Sequence, residues 1–148
     1  MAGYGTRRLP ITKALEKCML PVGDRPLVDY IVDDCVAAGI TEIILVVGQQ
    51  ADQVRTYYGH NEQLEAYLYT RHKIEALAVV KGIGDKARFR FVAQDETHPY
   101  GTSVPVQLAQ PYIEPDEHFL FLYGDNMYYN QDGSSTIADF MQQAQAAG

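Results

Sequence analysis

A chain of 148 residues has the length of one domain with one buried core. Its composition, 47% hydrophobic and 21% charged, is that of an ordinary globular chain and excludes disorder. No apolar run reaches the ~18 residues of a membrane span, two cysteines are too few for a disulfide scaffold, and a net charge of -7 argues against a nucleic-acid binder.

The first segment, Met1 to Arg25, departs from that acidic balance. It carries five basic residues (Arg7, Arg8, Lys13, Lys17, Arg25) against Glu16 and Asp24, whereas the rest of the chain has seven basic and seventeen acidic residues. One basic segment in an acidic chain suits a small anionic ligand. The next segment has a helical stripe of Leu27, Val28, Ile31, Val32, Cys35 and Val36. Asp29, Asp33 and Asp34 fall on its polar face, Pro26 suits its first turn and Gly39 its stop. Ile43 to Val47 is a continuous β-branched and aliphatic run, which predicts a parallel strand buried on both faces and closed by Gly48.

A short helix is expected from Ala51 to Tyr58, closed by Gly59. A longer one follows from about Glu62 to Val80, with Leu64, Leu68, His72 and Ala76 on one stripe. Arg88 to Ala93 reads as a strand. Gly101-Thr102 opens a helix through Val104, Leu108 and Tyr112, capped by Thr102 or Ser103, with Pro105 in its first turn. Phe119 to Tyr123 reads as a second buried strand ending in Gly124-Asp125-Asn126, and a last helix runs from Ser134 or Ser135 to Gly148. Strands alternating with helices predict an α/β domain with a mostly parallel sheet. There is no internal repeat, linker or low-complexity stretch. The chain opens inside what reads as a first loop, without the strand that normally begins such a sheet.

Gly3-Tyr4-Gly5-Thr6-Arg7 is a turn with free backbone N–H groups suited to phosphate. Arg8 stands where a dinucleotide fingerprint needs its third glycine, and no G-K-[ST] follows, so neither that fingerprint nor a Walker A loop is present. The absent glycine, and the place of Asp24 in a turn, disfavour a dehydrogenase domain. The histidines His60, His72, His98 and His118 have no ligand spacing, and Cys18 and Cys35 read as buried small hydrophobes. With no signal-peptide pattern at Met1-Ala2-Gly3 and no C-x-x-C pair, the expected compartment is the cytoplasm.

The longer string Gly3-x-Gly5-Thr6-Arg7-x-x-Pro10-x-Thr12-Lys13, then Lys17-x-x-Leu20-Pro21-Val22, then Arg25-Pro26-Leu27 resembles the N-terminal signature of the sugar-phosphate nucleotidyltransferases. Two positions differ: Glu16 replaces a proline, and Arg25 replaces a lysine with its charge kept. Val36 to Ile43 is similar to the family's helix-to-strand junction, and the stretch from Leu64-Glu65-Ala66 to an insertion of the UTP-glucose-1-phosphate uridylyltransferases. Gly124-Asp125-Asn126 followed by Tyr128-Tyr129 is closer to the thymidylyl branch.

The resemblance implies a Rossmann-like, mostly parallel sheet with flanking helices, of the nucleotide-diphospho-sugar transferase type and truncated at both ends. Residues 1–148 would then be a single domain fragment, the nucleotide-binding half without the first strand and the sugar-binding half. It implies transfer of a nucleotidyl group from UTP to glucose 1-phosphate, with Mg²⁺ as cofactor. Arg7 would hold the triphosphate and Lys17 would bridge the reacting phosphates. Ala2, Gly3, Gly5 and Thr6 would cradle the nucleotide, Gln94 and Gly101 would pair with the base, and Asp125 would bind the metal. The expected partners are UTP and glucose 1-phosphate, with neither nucleic acid nor membrane and with a possible homo-oligomer. A thymidylyltransferase-like enzyme and a non-catalytic nucleotide-binding remnant stay open as alternatives.

Overall fold

The computed structural model describes residues 5–48, 52–95, 97–99 and 101–146. Three short 3-10 turns, Thr6–Arg8, Ile11–Lys13 and Lys17–Met19, lead into a hairpin of β1 (Pro21–Val22) and β2 (Arg25–Pro26). Its two-residue turn uses Gly23 at φ 67°, a left-handed position. Helix α1 (Leu27–Ala37) begins directly after Pro26, which stands at the N-cap, one place earlier than its expected role in the first turn. Gly39, at φ 87°, closes it: Ile40 N–H bonds Cys35 O at 3.0 Å and Gly39 N–H bonds Val36 O at 2.9 Å.

Strand β3 (Glu42–Gly48) and strand β4 (Arg88–Gln94) pair in parallel from Glu42–Arg88 to Gly48–Gln94. Between them lie α2 (Asp52–Tyr58), α3 (Glu62–Thr70) and α4 (Ile74–Gly84). Helix α5 (Val104–Ala109) continues into a 3-10 turn at Gln110–Tyr112, and α6 (Thr136–Ala146) ends the described chain. The parallel β3–β4 pair with flanking helices is the expected α/β arrangement, and its core lies on the two sides of α1. Val28 and Val32 pack with Cys18, Leu45, Val47, Val54 and Tyr58. Ile31 and Cys35 pack with Ile137 of α6, joined by Leu120, Leu122 and Met141. Both cysteines are free and buried, as expected, and burial pushes the Cys18 thiol up to about 12 and that of Cys35 to about 11.

Four expectations are corrected. The helix expected across 62–80 is two helices, because His72 turns left-handed at φ 55°. Lys73 N–H bonds Leu68 O at 2.9 Å and His72 N–H bonds Tyr69 O at 3.0 Å, which satisfies the last carbonyls of α3 without a glycine to announce the stop. Phe119 to Tyr123 forms no strand. A strand exists by its ladder, and the described strands pair only as β1–β2 and β3–β4. This segment still alternates: Leu120 and Leu122 pack toward α1 and α6, while Phe119, Phe121 and Tyr123 are exposed.

The third correction is at α5, which starts at Val104. Ser103 is its N-cap but makes no side-chain capping bond, because Gly101–Ser103 form a separate bend and turn ahead of it. The fourth is Asp29. Its helical position predicts a solvated face, yet it is only 1% exposed. By contrast, the start of α6 follows the sequence: Ser135 Oγ accepts from Ala138 N–H at 3.0 Å. Thr136 Oγ1 donates to Asp34 Oδ2 at 2.6 Å, which docks α6 on α1.

Candidate functional site

The basic segment owes its path to Gly5. At φ 60° it occupies the left-handed region, and its carbonyl accepts from Arg8 N–H at 2.8 Å and from Thr12 Oγ1 at 2.8 Å. A Cβ at this position would lie 3.0 Å from Thr12 Cγ2, so the left-handed backbone favours glycine and the threonine methyl leaves little room for a side chain. The conjunction of Gly5 and Thr12 in the signature is therefore a local fold: the threonine hydroxyl fastens the turn that presents Thr6 and Arg7. Both residues are exposed, and Arg7 makes no ion pair with another described residue.

Glu16, where the signature has proline, has a structural role that its sequence position did not signal. Its Oε1 accepts from Gln53 N–H at 3.0 Å and from Val54 N–H at 3.4 Å, at the start of α2. Its own N–H donates to Gln53 Oε1 at 2.9 Å, and Gln53 Nε2 donates to Ala14 O at 2.7 Å. These bonds clamp the basic loop to α2. Next to it, Cys18 is 2% exposed in the core, so the turn that carries Lys17 is held on both sides.

From that turn, the Lys17 ammonium forms an ion pair with Asp125 Oδ2, across 108 positions of sequence. Asp125 lies in the turn after the Phe119 to Tyr123 segment, where Asn126 N–H bonds Tyr123 O at 3.2 Å. The Lys17 and Asp125 side chains are 42% and 26% exposed, so both are open to a ligand from solvent. They line a cleft of about 2520 Å³ that also takes in Gly5, Thr6, Arg7, Gln94 and Gly101. Each described residue singled out for the site lines this hollow, which also reaches core residues such as Val28, Val32 and Leu45; the contact that joins distant ones among them is that of Lys17 with Asp125, and Ala2 and Gly3 lie outside the described residues. Gln94 is the last residue of β4, at the carboxyl end of a parallel strand, where open α/β sheets hold their ligands. The following turn is tied by Asp95, which accepts from Thr97 N–H at 2.9 Å and contacts His98 Nδ1 at 2.8 Å.

Arg25 shares the signature but not the cleft. Its Nε donates to Asp29 Oδ2 at 2.8 Å, and its guanidinium also pairs with Asp33 and covers the Tyr30 ring at 4.6 Å. Lys86, just before β4, joins this network with its ammonium 2.7 Å from Asp33. Burial works against ionised Asp29, but hydrogen bonds from Lys86 and Arg25 outweigh it and hold the carboxyl below the usual range.

Among the described residues, no group of three or more His, Cys, Asp and Glu converges. Asp125 offers a carboxylate whose described partner is Lys17. One carboxylate fits Mg²⁺, a hard cation that keeps waters and takes the rest of its shell from phosphate oxygens; it does not fit a metal that needs an all-protein cage. No helix among the described residues is long and apolar enough to cross a membrane.

The chain is 38% identical over 126 residues to a UTP--glucose-1-phosphate uridylyltransferase of Bacillus subtilis, covering 85% of the chain and 42% of that protein. It is 35% identical over 147 residues to UTP--glucose-1-phosphate uridylyltransferase 1 of Staphylococcus saprophyticus, covering 99% of the chain and 50% of that protein. The UDP-glucose pyrophosphorylase of Acinetobacter baumannii superposes with a TM-score of 0.88 at 29% identity, over 98% of this chain and 50% of that one. The chain therefore spans about half the length of these relatives. Their shared fold places the β3–β4 pair and its helices in the pyrophosphorylase architecture. The profile of the family described as Nucleotidyl transferase matches residues 1–148, and the chain belongs to that family.

Proposed function

We propose that this chain serves as the nucleotide-binding half in transfer of the uridylyl group of UTP to glucose 1-phosphate, giving UDP-glucose and pyrophosphate. The observation that carries this reading is the meeting of Lys17 and Asp125 on the cleft that Gly5, Thr6 and Arg7 also line. In this reaction a sugar-phosphate oxygen attacks the α-phosphorus and the bond to pyrophosphate breaks. Both reactants are anions, so charge neutralisation and alignment dominate the catalysis.

In this reading Arg7 is the residue for the β- and γ-phosphates, since it is exposed on the cleft and has no described acidic partner. The Gly5–Thr6 turn supplies backbone N–H donors to the phosphates. Lys17 bridges the reacting phosphates, and Gln94 with the Gly101 backbone meets the edge of the base. Asp125 would hold Mg²⁺, which when bound neutralises phosphate charge. The cytoplasm is the compartment, supported by two free cysteines. Self-association of the chain is supported by the exposed Phe119, Phe121 and Tyr123. A thymidylyl donor is the second reading, favoured by Gly124-Asp125-Asn126 with Tyr128-Tyr129.

The test is calorimetry of the 148-residue chain with UTP and with dTTP, with and without Mg²⁺, alongside a pyrophosphate-release assay with glucose 1-phosphate. Mg²⁺-dependent UTP binding that weakens in Asp125→Asn is expected. Tighter dTTP binding selects the thymidylyl reading, and binding without turnover selects a non-catalytic module. Where turnover is detected, Arg7→Ala and Lys17→Ala should each lower it on the order of 10²-fold. Losses under about threefold in both overturn their roles.

A further inference from the structure

We propose that Lys17 is the resident counter-ion of Asp125, that it screens this carboxylate from free divalent cations, and that it yields the carboxylate only to a cation arriving on a polyphosphate. This rests on the reading of Asp125 as a metal ligand and adds to it an order of binding and a residue that imposes it.

The contact joins two turns that are each held by other bonds. Lys17 follows Glu16, clamped to Gln53, and precedes the buried Cys18. Asp125 sits in a turn bonded through Asn126 and Tyr123. The scaffold therefore holds the two side chains in reach of each other, and their ion pair need not hold the scaffold. Lysine suits such an exchange, because its charge is a point on a flexible four-carbon stem and its geometry is not bidentate. At 42% exposure the ammonium can leave Asp125 without crossing a packed core.

Charge decides which cation displaces it. Asp125 and Lys17 together are neutral, and among the described residues no further acidic cluster adds to them. A bare dication gains little at a neutral pair and is repelled by the ammonium. A polyphosphate carrying a divalent cation is a net anion and is attracted by the same lysine and by Arg7. Its phosphate oxygens offer Lys17 a new partner at the moment Asp125 is taken. The pair thus couples cation and nucleotide binding, each favouring the other.

The probe is Mn²⁺ titrated into the full chain without nucleotide, with free Mn²⁺ read by electron paramagnetic resonance. Lys17→Met, which keeps the stem and removes the charge, should tighten Mn²⁺ binding about two- to tenfold, the scale of releasing a partly exposed ion pair and its repulsion. Lys17→Arg keeps the charge and should stay within about twofold of the parent, as should Lys13→Met, which removes a cation of the same loop that makes no ion pair with a described residue. Adding Asp125→Asn to Lys17→Met should abolish the gain. Thermal melts establish that each variant is folded, and Lys17→Gln, which also removes the charge, carries the same expected gain of about two- to tenfold if the methionine variant does not fold. No tightening in Lys17→Met, while Asp125→Asn still weakens Mn²⁺ binding, overturns the counter-ion role and leaves Asp125 as a ligand. Equal Mn²⁺ binding by Lys17→Met with and without Asp125→Asn overturns both readings. A gain equal in Lys13→Met and Lys17→Met overturns the specific contact in favour of overall charge.

Discussion

The ammonium of Lys86 lies 2.8 Å from each carboxylate oxygen of Asp29, 57 positions away in sequence. Asp29 also accepts from Arg25 Nε at 2.8 Å and lies 3.3 Å from the Tyr58 hydroxyl. One buried carboxylate therefore connects β2, α1, α2 and the start of β4. The end of the basic segment, at Arg25, and the approach to the strand that ends in Gln94, at Lys86, thus meet on one carboxylate.

Removing the carboxylate leaves Arg25 and Lys86 beside a buried gap, with Asp33 as their remaining acidic partner. Asp29→Ala should lower stability by about 3 kcal/mol, the lower end for breaking a buried ion pair, since Arg25 and Lys86 keep some solvent. Urea unfolding with an unchanged slope and a lower midpoint is the expected result. A midpoint equal to that of the parent would mean that Asp29 is not what connects these elements.

The same carboxylate sets a pH dependence. Its folded pKa lies below the unfolded value of 3.8, so its contribution is fully present above about pH 4 to 5 and is lost as the pH falls through the folded pKa. The difference in urea midpoint between the parent and Asp29→Asn should be constant from about pH 7 to 5 and shrink below about pH 4. A difference that grows on acidification contradicts the sign.

Glu16→Pro restores the residue that the signature carries, and the backbone at φ -61° accepts it. It removes the N–H that bonds Gln53 and the carboxylate that accepts from α2. A loss of about 1 to 3 kcal/mol is expected for these bonds, together with faster amide exchange at Gln53 and Val54. Protection at both amides equal to the parent's would remove Glu16 from the clamp.

His72→Gly should stabilise the chain. The left-handed backbone at φ 55° costs a non-glycine residue about 1–2 kcal/mol, and glycine returns part of that gain as unfolded-state entropy. A net gain of about 0.5 kcal/mol should raise Tm by roughly 1–3 °C in calorimetry. A lowered Tm would mean that the imidazole holds the turn by its own contacts.

Residue pattern alone was enough where the signal is local. The α1 stripe with Gly39 at its end, the β3 run, and Ser135 before α6 all became the expected elements, because burial period and turn chemistry act over a few residues. The Gly3 to Leu27 string likewise pointed to the family, and part of it is tied by short-range bonds such as Thr12 to Gly5. Three-dimensional packing decided the rest. Phe119 to Tyr123 has the composition of a strand, but strand identity belongs to a pair, and no described neighbour completes its ladder. Asp29 reads as solvated until Lys86, brought alongside by β4, gives its charge a partner in the interior. Lys17 and Asp125 each carry a signature, but their ion pair spans 108 positions, and such a distance is closed only when the intervening helices and strands fold back on each other.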